Sequence, residues 1–148
     1  LTLQIPQGID LSLDCGDLGS ADINGLSSDI EVKTIEGQID LNDITGPVTV
    51  STATGYITAV FSTVSQSSTI SLKSTTGDVD VSVSSNTKAN LRLKSTMGRA
   101  FTDFVFEPER EDGMKVIGGY REINTKINNG GVRIRLSSST GNVYLRIK

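Results

Sequence analysis

An all-β solenoid is the fold class this sequence predicts. The expected form is a single-stranded, right-handed parallel β-helix with rungs of about 20 residues, a solenoid length scale, and one insertion at 105–130. Three observations predict it. Short alternating runs of Val, Ile, Leu and Thr lie between clusters of Ser, Thr, Gly, Asp and Asn, the pattern of many short strands. Five segments align on a glycine. The apolar positions change parity across that glycine, so each repeat turns a corner there.

The segments are IEVKTIEGQIDL, VTVSTATGYITA, ISLKSTTGDVDV, LRLKSTMGRAFT and IRLSSSTGNVYL, anchored on Gly37, Gly55, Gly77, Gly98 and Gly141. Their spacings are 18, 22, 21 and 43 residues, and the last is close to two periods. Seven before the glycine stand Ile30, Val48, Ile70, Leu91 and Ile134; five before stand Val32, Val50, Leu72, Leu93 and Leu136. Three before, the column holds only hydroxyls: Thr34, Thr52, Ser74, Ser95 and Ser138. Two after stand Ile39, Ile57, Val79, Ala100 and Val143, and four after stand Leu41, Ala59, Val81, Thr102 and Leu145. Strand side chains alternate faces, so the columns before the glycine share one face and those after it share another. Glycine suits the bend because it takes positive φ without steric cost. The hydroxyls can hydrogen-bond within the bend. Gly46 marks a second corner of this type. An antiparallel sandwich with long hairpin loops is the rival, but it has no need of five equivalent turns. Stacked rungs do, because each column becomes a ladder of like residues.

From Phe104 to Gly131 the pattern breaks. This charged stretch contains Pro108, which opposes a central strand. The expectation is a loop or hairpin leaving the stack over 105–130, followed by one irregular rung.

At 148 residues the chain is expected to form one domain, 1–148. Net charge is −3, with nine acids against two bases in residues 1–74 and eight against twelve in 75–148. The overall acidity argues against nucleic acid as a partner. An elongated stack would have an acidic and a basic end, which favours end-to-end association. No apolar run is long enough to span a membrane. The strand-like start LTLQI suggests that a leader has been trimmed.

Serine–histidine and cysteine–histidine catalysis require histidine, which is absent. The single Cys15 cannot make a thiolate metal site and reads as a structural thiol. No phosphate-cradling glycine loop occurs. Asp78 and Asp80, with Asp40 on an earlier rung, are expected to face outward as solvated acids rather than as calcium ligands or glycan-cleaving groups. No cofactor and no metal is expected.

The recurrent TxxGxI/V corners, closed by INNGGVRIRLSSSTGNVYLRIK, resemble a bacterial domain family of unknown function that carries an adhesin label and is common in envelope proteins of Bacteroidetes. The likeness runs from about Gly25 to Lys148, and its final block is the most specific part. It implies an exported domain at the cell surface or in the periplasm, and brings no functional residues with it. The expected function is thus a non-catalytic interaction module, an adhesin that meets a surface glycan or protein. A periplasmic accessory or sensor domain is the alternative, and a polysaccharide-active enzyme a more distant one.

Two outward features are candidates for contact. Phe101 and Tyr144 occupy the outward column three after the glycine, where Asp40, Thr58 and Asp80 stand on other rungs. An exposed aromatic pair can stack on a sugar or anchor a protein. Alternatively the insertion, with Phe104, Phe106 and Tyr120, folds back over them. Outward bases, Arg133 and Arg135 with Arg92, Lys94, Arg146 and Lys148, can form a stripe that meets anionic glycan.

Overall fold

The computed structural model describes residues 5–67, 69–105 and 120–148. Every regular element among them is a strand: β1 (Leu11–Asp14), β2 (Ala21–Asn24), β3 (Ile30–Glu36), β4 (Ile39–Ile44), β5 (Val48–Thr54), β6 (Ile57–Phe61), β7 (Ile70–Thr76), β8 (Val79–Val83), β9 (Ala89–Ser95), β10 (Ala100–Thr102), β11 (Glu122–Ile127), β12 (Val132–Ser138) and β13 (Val143–Ile147). Two sheets result, ordered β1-β3-β5-β7-β12-β9-β11 and β10-β13-β8-β6-β4-β2. Strand pairing is parallel throughout, except that β11 runs antiparallel to β9.

The sequence columns become ladders. Ile30 pairs with Val48 and Val48 with Ile70. Ile134 then lies between Ile70 and Leu91. All five columns point inward, and only Thr102 at the end of β10 is half-exposed among their members. The aliphatic residues of both sheets form one core cluster. Truncating a fully buried leucine such as Leu93 or Leu145 would cost about 2–5 kcal/mol.

The hydroxyl column works between neighbouring tiers more than within its own bend. Thr34 Oγ1 donates to Gly19 O (3.1 Å), Ser74 Oγ to Gly55 O (3.0 Å), Ser138 Oγ to Gly77 O (2.7 Å) and Ser95 Oγ to Gly141 O (2.6 Å). Ser138 and Ser95 also accept the N–H of Gly141 and Gly98 in their own corners, both at 2.9 Å. The five aligned glycines, Gly37, Gly55, Gly77, Gly98 and Gly141, each lie against the carbonyl oxygen of a glycine in the neighbouring tier, leaving no room for a Cβ, whereas Gly46 lies against the carbonyls of Ser27 and Ser28. Gly55 and Gly77 add positive φ, 150° and 132°. At Gly98 and Gly141 close approach alone excludes a side chain.

These contacts set the stacking order, which differs from the sequence order. The last tier, β12–β13, lies between β7–β8 and β9–β10. The expectation that 105–130 simply leaves the stack is therefore corrected for its described part, 120–130. Tyr120 bridges Ala100, and β11 then covers the free edge of β9. Residues 106–119, Pro108 among them, lie outside the described residues. The irregular rung expected after the insertion is instead this single antiparallel strand. The chain next crosses beneath the start of β9 in left-handed backbone at Asn128, Asn129 and Gly130, with φ of 49°, 71° and 78°. Asparagine and glycine are the residues that tolerate this region. Asn128 Nδ2 fastens the crossing to the carbonyls of Ser85 (2.9 Å) and Thr87 (2.7 Å).

Candidate interaction faces

With both sheets turned inward onto one core, their outward side chains form two faces pointing away from each other. On the six-stranded sheet, register aligns Phe101, Tyr144, Asp80, Thr58, Asp40 and Asp22 in one outward column. Phe101 and Tyr144 stack, with ring centroids 5.2 Å apart and planes 12° from parallel. The Arg146 guanidinium lies 4.9 Å from the Tyr144 ring centroid, and its Nε donates to both Asp80 oxygens at 2.9 Å. Asn142 Nδ2 donates to the Tyr144 hydroxyl at 3.2 Å. The tyrosine is thus held from two sides and half-buried, while Phe101 is 39% exposed. Phe104 turns into the core, and Tyr120 packs against that core, so neither supplies the expected cover; Phe106 lies outside the described residues. The outward acids are engaged: Asp80 with Arg146, Asp40 with Gln38, and Asp78 with the Asn142 N–H at 2.7 Å.

On the seven-stranded sheet, Arg135 sits in register with Arg92 on one side and Ser71 on the other. Arg133 lies beside Asn90, which in turn faces Lys126 of β11. Lys73 and Lys94 both flank Ser137. Six cations therefore project from four neighbouring strands, β7, β12, β9 and β11, among which Glu122 is the outward carboxylate. Glu122 takes Arg92 Nε at 3.2 Å. Its carboxyl is lowered from its ordinary value, first by the hydrogen bond from Asn124; burial opposes this, and the charges of Arg92 and Lys94 add to the lowering. The early tiers differ. There Lys33 is paired with Glu31 at 2.9 Å, and that contact raises the Lys33 ammonium above its ordinary value.

The structure thus brings Phe101 and Tyr144 together, and Arg133 and Arg135 together, but places the two pairs on opposite faces. They are two surfaces rather than one site. The two-strand tiers, their glycine and hydroxyl ladders and the Asn-Asn-Gly crossing run through almost the whole chain, and one family model follows them over residues 7–146. The chain belongs to the Toastrack DUF4097 family, an uncharacterised domain family. No curated protein and no solved structure matches it.

The Toastrack match begins earlier than Gly25, and the structure shows why. A first tier, β1–β2, has its own corner at Gly19, stacked under Gly37. Leu11, eight residues before Gly19, pairs with Ile30, seven before Gly37. That one extra residue hides the first tier from a fixed-offset alignment. Just past the last register pair, Asp14 with Lys33, the Cys15 N–H donates to Lys33 O at 2.9 Å, and Cys15 is partly buried against the core. A shallow depression at the start of β1 and β3 carries Asp10, Asp29 and Glu31. These acids do not converge: Asp10 accepts the Asp29 N–H, and Glu31 holds Lys33. Among the described residues no group of three or more His, Cys, Asp or Glu could hold a metal ion, and no helix is long and apolar enough to cross a membrane.

Proposed function

We propose that this Toastrack domain is a non-catalytic interaction module of the bacterial cell envelope, exported to the surface or periplasm and acting as an adhesin. In this reading its tiers coil as a right-handed parallel β-helix with rungs of about 20 residues. The observation that carries the reading is the Phe101–Tyr144 stack, an aromatic surface on a rigid sheet face with Phe101 39% exposed. Aromatic faces pair with the apolar face of a sugar ring or with a protein side chain, and a sheet positions them without loop-ordering cost. Asp80 and Arg146 beside the stack supply polar contacts that orient such a ligand. End-to-end association, acidic early tiers against basic late ones, belongs to the same proposal.

The test is a glycan and extracellular-matrix array probed with the wild type and a Phe101→Ala/Tyr144→Ala variant, each shown to be folded by circular dichroism. Saturable binding lost in the variant is the expected result. No binding by the folded wild type would replace the adhesin reading with that of a periplasmic accessory or sensor domain.

A further inference from the structure

We propose that the outward face of β7, β12, β9 and β11 is a second, independent binding surface, and that its ligand is an extended anionic polysaccharide. Among the described residues, Lys73, Arg135, Arg133, Arg92, Lys94 and Lys126 project from these strands, and Glu122 is the one outward carboxylate on them. Neighbouring strands lie about 4.8 Å apart and alternate residues about 6.7 Å apart, so the patch spans roughly 14 Å by 13 Å.

Solubility does not require this arrangement. Mixed signs keep a sheet face soluble, as Glu31 and Lys33 do on β3. Like charges in direct cross-strand register are destabilising, yet Arg92 and Arg135 are register partners. Of the six cations only Arg92 forms an ion pair among the described residues. Among the described residues this positive charge is left largely without carboxylate partners, which fits an anion that arrives from outside. Arginine forks bind carboxylates and sulfates in bidentate fashion.

The rest of the face selects the polymer. Ser71, Ser137 and Asn124 stand between the cations and suit the hydroxyls of a sugar chain. The outward positions of these strands carry no aromatic side chain to stack on nucleobases and no aliphatic one to enter a bilayer. The cations are spread over four strands rather than converging on one point, which fits an extended chain lying across strands rather than a small ligand.

The experiment measures binding of the full chain to polygalacturonate, with neutral dextran, double-stranded DNA and phosphatidylglycerol vesicles as parallel probes. Arg133→Gln/Arg135→Gln is compared with Lys33→Gln, an exposed cation on a distant tier. The expected result is polygalacturonate binding that weakens at least tenfold in the double variant and less than twofold in Lys33→Gln. Binding should also fall steeply between about 50 and about 200 mM salt, as multi-contact polyanion binding does. Matching unfolding midpoints exclude misfolding as the cause. Should the double variant unfold, protection of Lys73, Lys94 and Lys126 from acetylation by added polymer gives the same answer on the wild type. Absence of binding at low salt overturns the proposal, as does equal loss in Lys33→Gln. Equally tight, Arg133/Arg135-dependent binding of DNA or vesicles would overturn the assignment to polysaccharide.

Discussion

Ser138 and Thr52 occupy the same column, and the structure assigns them opposite energetic roles. Ser138 is buried; its hydroxyl donates to Gly77 O at 2.7 Å and accepts the Gly141 N–H at 2.9 Å. Ser138→Ala keeps the Cβ and strands both backbone groups. A polar group left without a partner costs about 1–3 kcal/mol when buried; both of these bonds are part-buried, so the two together should cost about 2–4 kcal/mol, short of the full burial figure. At about 2–4 °C per kcal/mol for a domain of this size, the melting temperature falls by roughly 4–16 °C. Thr52 Oγ1 is buried with no hydrogen-bond partner among the described residues. Thr52→Val replaces that hydroxyl with a methyl of similar shape, so it should be neutral or stabilising by about 1 kcal/mol. Urea unfolding followed by circular dichroism measures both, and an unchanged slope confirms that only stability has moved. A Thr52→Val variant as unstable as Ser138→Ala would overturn the account of the hydroxyl ladder. So would a Ser138→Ala midpoint within about 0.5 kcal/mol of wild type.

Two other predictions probe the tier order and the cationic face. With Cys15→Ser as background, Ser137→Cys/Lys94→Cys should form a disulfide, because the two are register partners on adjacent strands. Lys73→Cys/Lys94→Cys should not, since β12 separates them by about 9.6 Å, beyond the roughly 7 Å limit for bridging; non-reducing mass spectrometry decides, and the reverse result would place β9 directly on β7. Glu122 has its carboxyl lowered from 4.5, chiefly by Asn124. Its contribution is therefore present above the unfolded value and lost as pH falls through the folded one. Being largely exposed, it should amount to less than about 1 kcal/mol. Glu122→Gln should flatten the acid limb of stability below about pH 4.5, and an unchanged limb in urea titrations at several pH values would count against the pairing.

The inward face of the four aliphatic columns in the five aligned segments was readable from spacing alone. Ile30 and Val32 before Gly37, and Ile39 and Leu41 after it, alternate with polar neighbours, and only a corner reconciles their parity. The aromatic pair was readable for the same reason, since Phe101 and Tyr144 share an offset from their glycines. The first tier was not readable, because one added residue between Leu11 and Gly19 shifts it out of frame. Nor were the cross-tier partners of the hydroxyls, which lie 15 to 61 residues away.

What the sequence determined by itself is the tier: two inward-facing strands, a glycine corner, a hydroxyl before it. What only the tertiary structure decided is the order of the tiers and the company each outward residue keeps. The reason is the repetition itself. Ile70, Leu91 and Ile134 are near-equivalents in one column, so β9 could lie on β7 as well as β12 does, and periodicity carries no preference between the two. The choice falls to contacts outside the repeat. β11 covers the far edge of β9, and the left-handed Asn128-Asn129-Gly130 turn, tied to Ser85 and Thr87, carries the chain under β9 so that β12 enters between its predecessors.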